Sequence, residues 1–209
     1  MKPFAVTHYV PTRHKVVAFT FDDGPNPTYT PQLLDIFREA GGKATFYMIG
    51  EQIEKEPEVA ALVHAQGHEI GNHTYTHPYL TRLSSEEVVN ELRQTEALIR
   101  GIIGRKPTTL RTPYFDVNEE VLSIIEGEGY LLAAGAANGS AEDWSMPGVE
   151  HIVRETRESI RDGAILIFHD GFGDRSQSVE AVRILAKELT ENGYRLVTVD
   201  ELLTLADKE

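Results

Sequence analysis

The sequence predicts an α/β domain in which about seven strands alternate with helices around a parallel sheet or barrel. Three observations carry this. Short apolar runs, such as residues 16–21 and 164–168, recur along the chain. Between them lie longer stretches whose apolar residues keep a helical period, as Val88, Leu92, Ile99 and Ile103 do. Conspicuous polar groups collect just past the ends of the runs, which is where loops gather on one face of a βα barrel.

Taken in order, residues 16–21 form the opening strand, stopped by Asp22-Asp23-Gly24-Pro25. Thr30-Pro31 reads as an N-cap followed by proline at the first helical position, with Leu33, Leu34 and Phe37 on one face and Gly41-Gly42 ending the helix. Residues 44–49 read as a buried strand, Val59, Leu62 and Val63 mark a helix, and residues 68–72 form a third strand that delivers His73-Thr74-Tyr75-Thr76-His77. Ser84 and Glu87 make a capping box for a helix ending near Gly104. Leu110-Arg111 is a brief strand stopped by Pro113, and Asp116 with Glu119 opens a helix through Val121 and Ile125. Residues 130–134 form the fifth strand, followed by a loop of small residues reaching Asp143-Trp144. Pro147-Gly148 introduces a helix carrying Ile152 and Val153, and residues 164–168 form a strand ending at His169-Asp170. A last helix with Val179, Val182, Leu185 and Leu189 stops at Asn192-Gly193, before a final strand at residues 195–199. No repeat or linker divides the chain, so residues 1–209 are expected to form a single domain.

Composition narrows the function. A length of 209 residues with 41% hydrophobic content suits one full-sized core. The net charge of -13 argues against a nucleic-acid partner. The absence of cysteine leaves only oxygen and nitrogen to hold a metal. Met1-Lys2-Pro3-Phe4 lacks the apolar core of a signal peptide, and no apolar run is long enough to span a membrane, so the chain as given reads as cytoplasmic.

Two adjacent carboxylates, Asp22 and Asp23, repel each other unless a cation, an arginine or a proton lies between them. Read alone, the pair is also compatible with an Asx-type turn holding two solvated groups. His73 and His77 are four residues apart, a spacing that lets two imidazoles reach one ion. Together with a strand-tip aspartate they make a three-ligand set that leaves positions open for water and substrate.

Thr20 to Gly24, His73 to His77, Arg111 to Tyr114 and Ile167 to His169 together resemble the polysaccharide deacetylase family, the NodB-like carbohydrate esterases. The resemblance covers nearly the whole chain with its motifs in the right order. It implies a distorted (β/α)7 barrel, the NodB homology domain, that removes acetyl groups from amino sugars with a divalent metal, zinc first and cobalt or manganese as alternatives. By that resemblance Asp23, His73 and His77 hold the metal, and Asp22 is the general base for the attacking water. Arg111 orients the base and keeps it ionised, the backbone N–H of Tyr114 meets the oxyanion, and Pro113 beside it counts with Tyr114 and Trp144 as substrate-binding. His169 is the general acid, oriented by Asp143, and Trp144 walls the sugar site or else belongs to the core.

Three positions depart from the family pattern: Phe115 where glycine is common, Ser140 where the first aspartate of an Asp-x-x-Asp-Trp motif stands, and Ile167 in place of leucine. His8, His14, His64, His68 and His151 read as surface or structural. The expectation is therefore a monomeric N-deacetylase acting on N-acetylglucosamine-type glycans, chitin oligomers or peptidoglycan. The alternatives are an O-acetyl xylan esterase, a small cyclic amide hydrolase and a silent carbohydrate-binding domain. Family members are commonly exported, which the N-terminus does not reflect.

Overall fold

The structure is a computed structural model and describes residues 4–207, so the signal-peptide reading of residues 1–3 falls outside it. It contains strands β1 (Val6–Thr7), β2 (Val16–Asp22), β3 (Thr45–Met48), β4 (Glu69–Asn72), β5 (Thr109–Leu110), β6 (Leu132–Ala134), β7 (Ala164–His169) and β8 (Arg195–Val197). The helices are α1 (Tyr29–Glu39), α2 (Gly50–Lys55), α3 (Pro57–Ala65), α4 (Ser85–Ile103), α5 (Glu119–Gly127), α6 (Val149–Ser159), α7 (Ser176–Glu191) and α8 (Val199–Thr204). No helix is long and apolar enough to cross a membrane among the described residues.

The strands lie in the order β1-β6-β5-β4-β3-β2-β7, every named pair parallel. β8 pairs with the first half of β2 and β3 with its second half, so the two share one edge. The sheet curls until its ends meet. Leaving β1, the chain crosses to β7: the Ile165 amide donates to the His8 carbonyl at 3.0 Å, and the Val10 amide to the Gly163 carbonyl at 2.9 Å. This is the distorted barrel that the sequence resemblance implies.

Strand periodicity sorts the β2 residues between two of the three apolar clusters. Phe19 and Phe21 of β2 point outward into an aromatic cluster with Phe37, Phe46 and Phe168, ring centroids 5.0 to 6.0 Å apart. Burying each such ring is worth about 1.5–3 kcal/mol. The alternate residues Ala18, Thr20 and Asp22 face the barrel interior, where Val16, Tyr47, Ile165 and Val197 pack. His68, read as structural, is fully committed to that role. It is buried between Phe37 and Phe46 and accepts from the Ala44 amide, and burial lowers its pKa to about 4.

All seven expected strands are present, and β1 adds an eighth that the two-residue pairing is too short to signal. The helix starts differ in instructive ways. α1 begins at Tyr29, ahead of Thr30, because Asn26 Oδ1 accepts from the Thr28 and Tyr29 amides and organises the turn. α5 is capped by Asn118, while Asp116 is engaged by Thr81. The capping box at Ser84 and Glu87 forms as expected. Between β3 and β4 lie two helices, α2 and α3, and the stretch with Val59 is α3. Its buried face is Ala60 and Val63, and Leu62 is 39% exposed. The short α8 follows β8, so α7 is not the last helix.

Candidate active site

At the C-terminal end of β2 the strand alternation is broken on purpose by backbone geometry. Asp22 is the last inward-facing strand residue, and Asp23 takes a left-handed φ of 74°. The turn rotates the second carboxylate back toward the same side, so two neighbours that a strand would point apart serve one cavity. Two glycines make room for this. A Cβ on Gly171 would lie 1.9 Å from the Asp23 carbonyl oxygen, and one on Gly24 would lie 2.5 Å from Asp170 Oδ1.

His73 follows β4 directly and His77 closes the same loop. The loop is held from α4, where Glu91 Oε2 accepts from the Tyr75 and Thr76 amides at 2.8 Å each. His73 Nε2 lies 3.4 Å and His77 Nε2 3.2 Å from Asp23 Oδ1, and one ligand atom from each of the three residues falls within 4.8 Å of the others. His73 Nδ1 sits 2.8 Å from the Arg111 carbonyl oxygen, which can only accept, so Nδ1 carries the proton and Nε2 presents a lone pair. Asp23 Oδ1 is buried and has no hydrogen-bond donor. Two electron-rich nitrogens around an orphaned buried carboxylate oxygen form a donor set that fits a divalent cation, with positions left for water and substrate. Burial opposes the charge on Asp23; positive charge at the two imidazoles would hold the carboxyl well below the usual range. With their Nε2 atoms presented as lone pairs, that positive charge is left for a cation to supply.

Asp22 has a different partner. Its Oδ1 accepts from Arg111 Nη1 at 2.7 Å, and its Oδ2 stays 3.8 Å from His73 Nε2. Arg111 is fully buried rather than solvated. It also donates to Thr20 Oγ1 at 2.7 Å, the Gly135 carbonyl at 2.6 Å and the Ala134 carbonyl at 3.2 Å, and its guanidinium lies 4.7 Å from the Tyr47 ring. With its donors spent in this way, the guanidinium is a fixed charge against Asp22.

At the tip of the neighbouring strand β7, His169 Nδ1 lies 2.7 Å from Asp143 Oδ1, and Asp143 Oδ2 accepts from the His169 amide at 2.8 Å and the Ser178 hydroxyl at 2.6 Å. Burial disfavours a charged imidazole here, but the Asp143 carboxylate outweighs it and lifts His169 to about 9. Nδ1 is engaged, so Nε2 is the atom free for chemistry.

Asp22, Asp23, His73, His77, Asp143 and His169 line one cavity of about 540 Å³, with Arg111 buried behind it. Trp144 is 57% exposed on its rim, which excludes the core reading, and Tyr114, Phe115 and Phe172 complete an aromatic border. Phe115 has a φ of 53°, the region glycine prefers, and its side chain enters the cavity wall. Ile167 also lines the cavity. Pro113 does not: it is buried, and its neighbour Thr112 takes the place on the wall.

Several contributors carry no motif of their own. Arg175 donates to the Gly171 carbonyl at 2.7 Å and the Trp144 carbonyl at 3.0 Å, tying together the loops that hold His169 and Asp143. Phe172 and Glu142 line the cavity with left-handed backbones. Asp170 is buried behind Gly24, accepts from the Thr30 hydroxyl, and is pushed by burial up to about 7. Position just after a strand tip is the signal that could have found Asp170 and Phe172; Arg175 offers none.

The family profile described as polysaccharide deacetylase matches residues 9–133. A peptidoglycan-N-acetylglucosamine deacetylase of Bacillus cereus is 40% identical, over 95% of this chain and 92% of its own length. A chitooligosaccharide deacetylase of Bradyrhizobium is 35% identical, over 89% of this chain and 90% of its own. Among solved structures, a peptidoglycan N-acetylglucosamine deacetylase in complex with a naphthalenyl N-hydroxybenzamide superposes with a TM-score of 0.90 at 28% identity, over 99% of this chain and 96% of that one.

Proposed function

The chain belongs to the polysaccharide deacetylase family, and from that premise we propose that residues 1–209 form one catalytic domain hydrolysing the N-acetyl group of N-acetylglucosamine units in peptidoglycan or chitooligosaccharides. The observation that carries this reading is the placement of Asp22 and His169 around the Asp23, His73 and His77 group within one cavity. Asp23, His73 and His77 would hold a divalent cation, zinc first given the two imidazoles and one carboxylate. When bound, such a cation supplies Lewis-acid polarisation of the acetyl carbonyl and lowers the pKa of water.

Asp22 is the general base. Its carboxylate, held by Arg111, takes a proton from the water whose oxygen forms the new bond to the acetyl carbon. The Tyr114 amide has no acceptor among the described residues and is available to the developing oxyanion. His169 then gives its Nε2 proton to the departing nitrogen as the carbon–nitrogen bond breaks, releasing acetate and a free amine. An amine is a poor leaving group until protonated, which is why a cationic imidazole stabilised by Asp143 suits an amide substrate. Every residue invoked belongs to one chain, so a monomer suffices. The presence of base, acid and ligand set together weighs against a silent binding domain.

The test is acetate release over a panel of N-acetylglucosamine oligomers, peptidoglycan fragments and acetylated xylan, with zinc, cobalt or manganese added. Release from the N-acetylated glycans is expected. Release from acetylated xylan alone would replace this reading with an O-acetyl esterase.

A further inference from the structure

The two imidazoles of the candidate metal group differ in what holds their outer nitrogens. His73 Nδ1 is fixed by a backbone carbonyl, that of Arg111, at 2.8 Å. His77 Nδ1 faces a side chain: the Tyr114 hydroxyl at 3.2 Å, with the rings 4.6 Å apart and steeply inclined. Since His77 Nε2 is aimed at Asp23 Oδ1, the ligand tautomer has its proton on Nδ1, and the phenol oxygen accepts it.

Tyr114 is 55% exposed, and an exposed tyrosine has no packing reason to keep one rotamer. Three features hold it. Tyr114 and Phe115 are consecutive non-glycine residues with left-handed φ of 57° and 53°, which aims the Tyr114 side chain across to the His73–His77 loop. The Tyr79 ring stacks on Tyr114 with centroids 4.1 Å apart and planes 13° from parallel. The Arg82 guanidinium in turn lies over the Tyr79 ring at 4.2 Å. Arg82, Tyr79, Tyr114 and His77 thus form a continuous row of contacts, stacked between the two tyrosines and edge-on at His77, running from the surface to a candidate ligand.

We propose that the Tyr114 side chain is a positioning residue for His77, fixing its tautomer and ring orientation through the hydroxyl, and that Tyr79 is its brace. The Arg111–Tyr114 segment would then orient three groups at once: Asp22 through the guanidinium, His73 through the Arg111 carbonyl, and His77 through the Tyr114 hydroxyl. This rests on the metal-site reading above but concerns the cation rather than the sugar. Outer partners of ligating histidines typically change metal affinity by about 10- to 100-fold when lost.

The experiment measures zinc affinity by competition with a chromophoric chelator, and the visible spectrum of the cobalt-loaded protein, for wild type, Tyr114→Phe, Tyr79→Ala and Tyr79→Phe. Tyr114→Phe keeps the stack and loses the hydroxyl, so it should weaken zinc binding by about 10- to 100-fold and alter the cobalt spectrum. Tyr79→Ala should weaken binding less, and Tyr79→Phe should restore it. If Tyr114→Phe leaves affinity and spectrum at wild-type values while KM for the glycan rises, Tyr114 only walls the substrate and the inference is overturned. Wild-type protein that binds no zinc would overturn the metal-site reading as well.

Discussion

Asp22 and His169 are register partners on adjacent parallel strands, β2 and β7, so the proposed base and the proposed acid stand side by side at one end of the barrel. They are 147 positions apart in sequence, and the six-residue pairing of Val17–Asp22 with Ala164–His169 fixes their relation. A one-residue slip would turn one of them away from the cavity. Each then receives its own anchor, Arg111 for Asp22 and Asp143 for His169, and the anchors carry opposite charge. That difference separates the two roles: a guanidinium favours an ionised carboxylate, and a carboxylate favours a protonated imidazole.

Replacing Asp22 by Asn keeps the shape and removes the proton acceptor. Turnover of an N-acetylated oligosaccharide should fall by about 10²- to 10⁴-fold, with bound zinc, measured by elemental analysis, retained at the wild-type ratio. Full activity in this variant would remove Asp22 from the role of base.

The alkaline limb of the kcat/KM profile should belong to His169, whose pKa lies above the ordinary imidazole value near 6.5 because Asp143 outweighs the effect of burial. Protonated acid is the active form, so the rate falls as pH rises through that value. Asp143→Asn withdraws the stabilising charge, and its alkaline limb should move to lower pH. A limb that stays in place in this variant would mean another group controls it.

Beside its proposed part in the chemistry, Arg111 is expected to matter for folding. Arg111→Met leaves Asp22 as a buried carboxylate without its partner and strips three further acceptors of a donor, a loss on the order of 3–5 kcal/mol. Urea denaturation should show a clear drop in the midpoint. An unchanged midpoint would contradict the account of the guanidinium as the fixed partner of Asp22.

Gly171 has no side chain to offer, yet Gly171→Ala should disturb the site because the new methyl would meet the Asp23 carbonyl oxygen at 1.9 Å. Zinc affinity is expected to fall on the order of tenfold, with the circular dichroism spectrum unchanged. Wild-type affinity would show that Asp23 is not held by this close approach.

Much of this was legible in the sequence for a definite reason. Parallel strands covered on both faces must read as apolar runs, and the polar residues that end them stand out: Asp22, His73, Arg111 and His169 all fall at strand tips. Asp143 was legible as a loop residue, and its pairing with His169 followed only from the family resemblance. What escaped notice depends on backbone conformation and long-range bonds. The Gly24-Pro25 turn is legible as the place where the backbone can curl and bring two adjacent carboxylates to one cavity, but the left-handed φ of Asp23 that does so is not. The bonds of Arg175 to Gly171 and Trp144 join loops by main-chain carbonyls, to which any residue can contribute. Pro113 shares a motif with Tyr114, which points it to the substrate, whereas its ring is buried and Thr112 meets the cavity.

The central claim is that Asp23, His73 and His77 gather one cation on which deacetylation depends. Its most direct test is to strip the protein with chelator, return zinc in steps, and follow bound zinc and acetate release from an N-acetylglucosamine oligomer in the same samples. The account predicts release that is lost on stripping, rises in proportion to zinc, and saturates at about one ion per chain. Acetate release that continues undiminished in the stripped protein would contradict it.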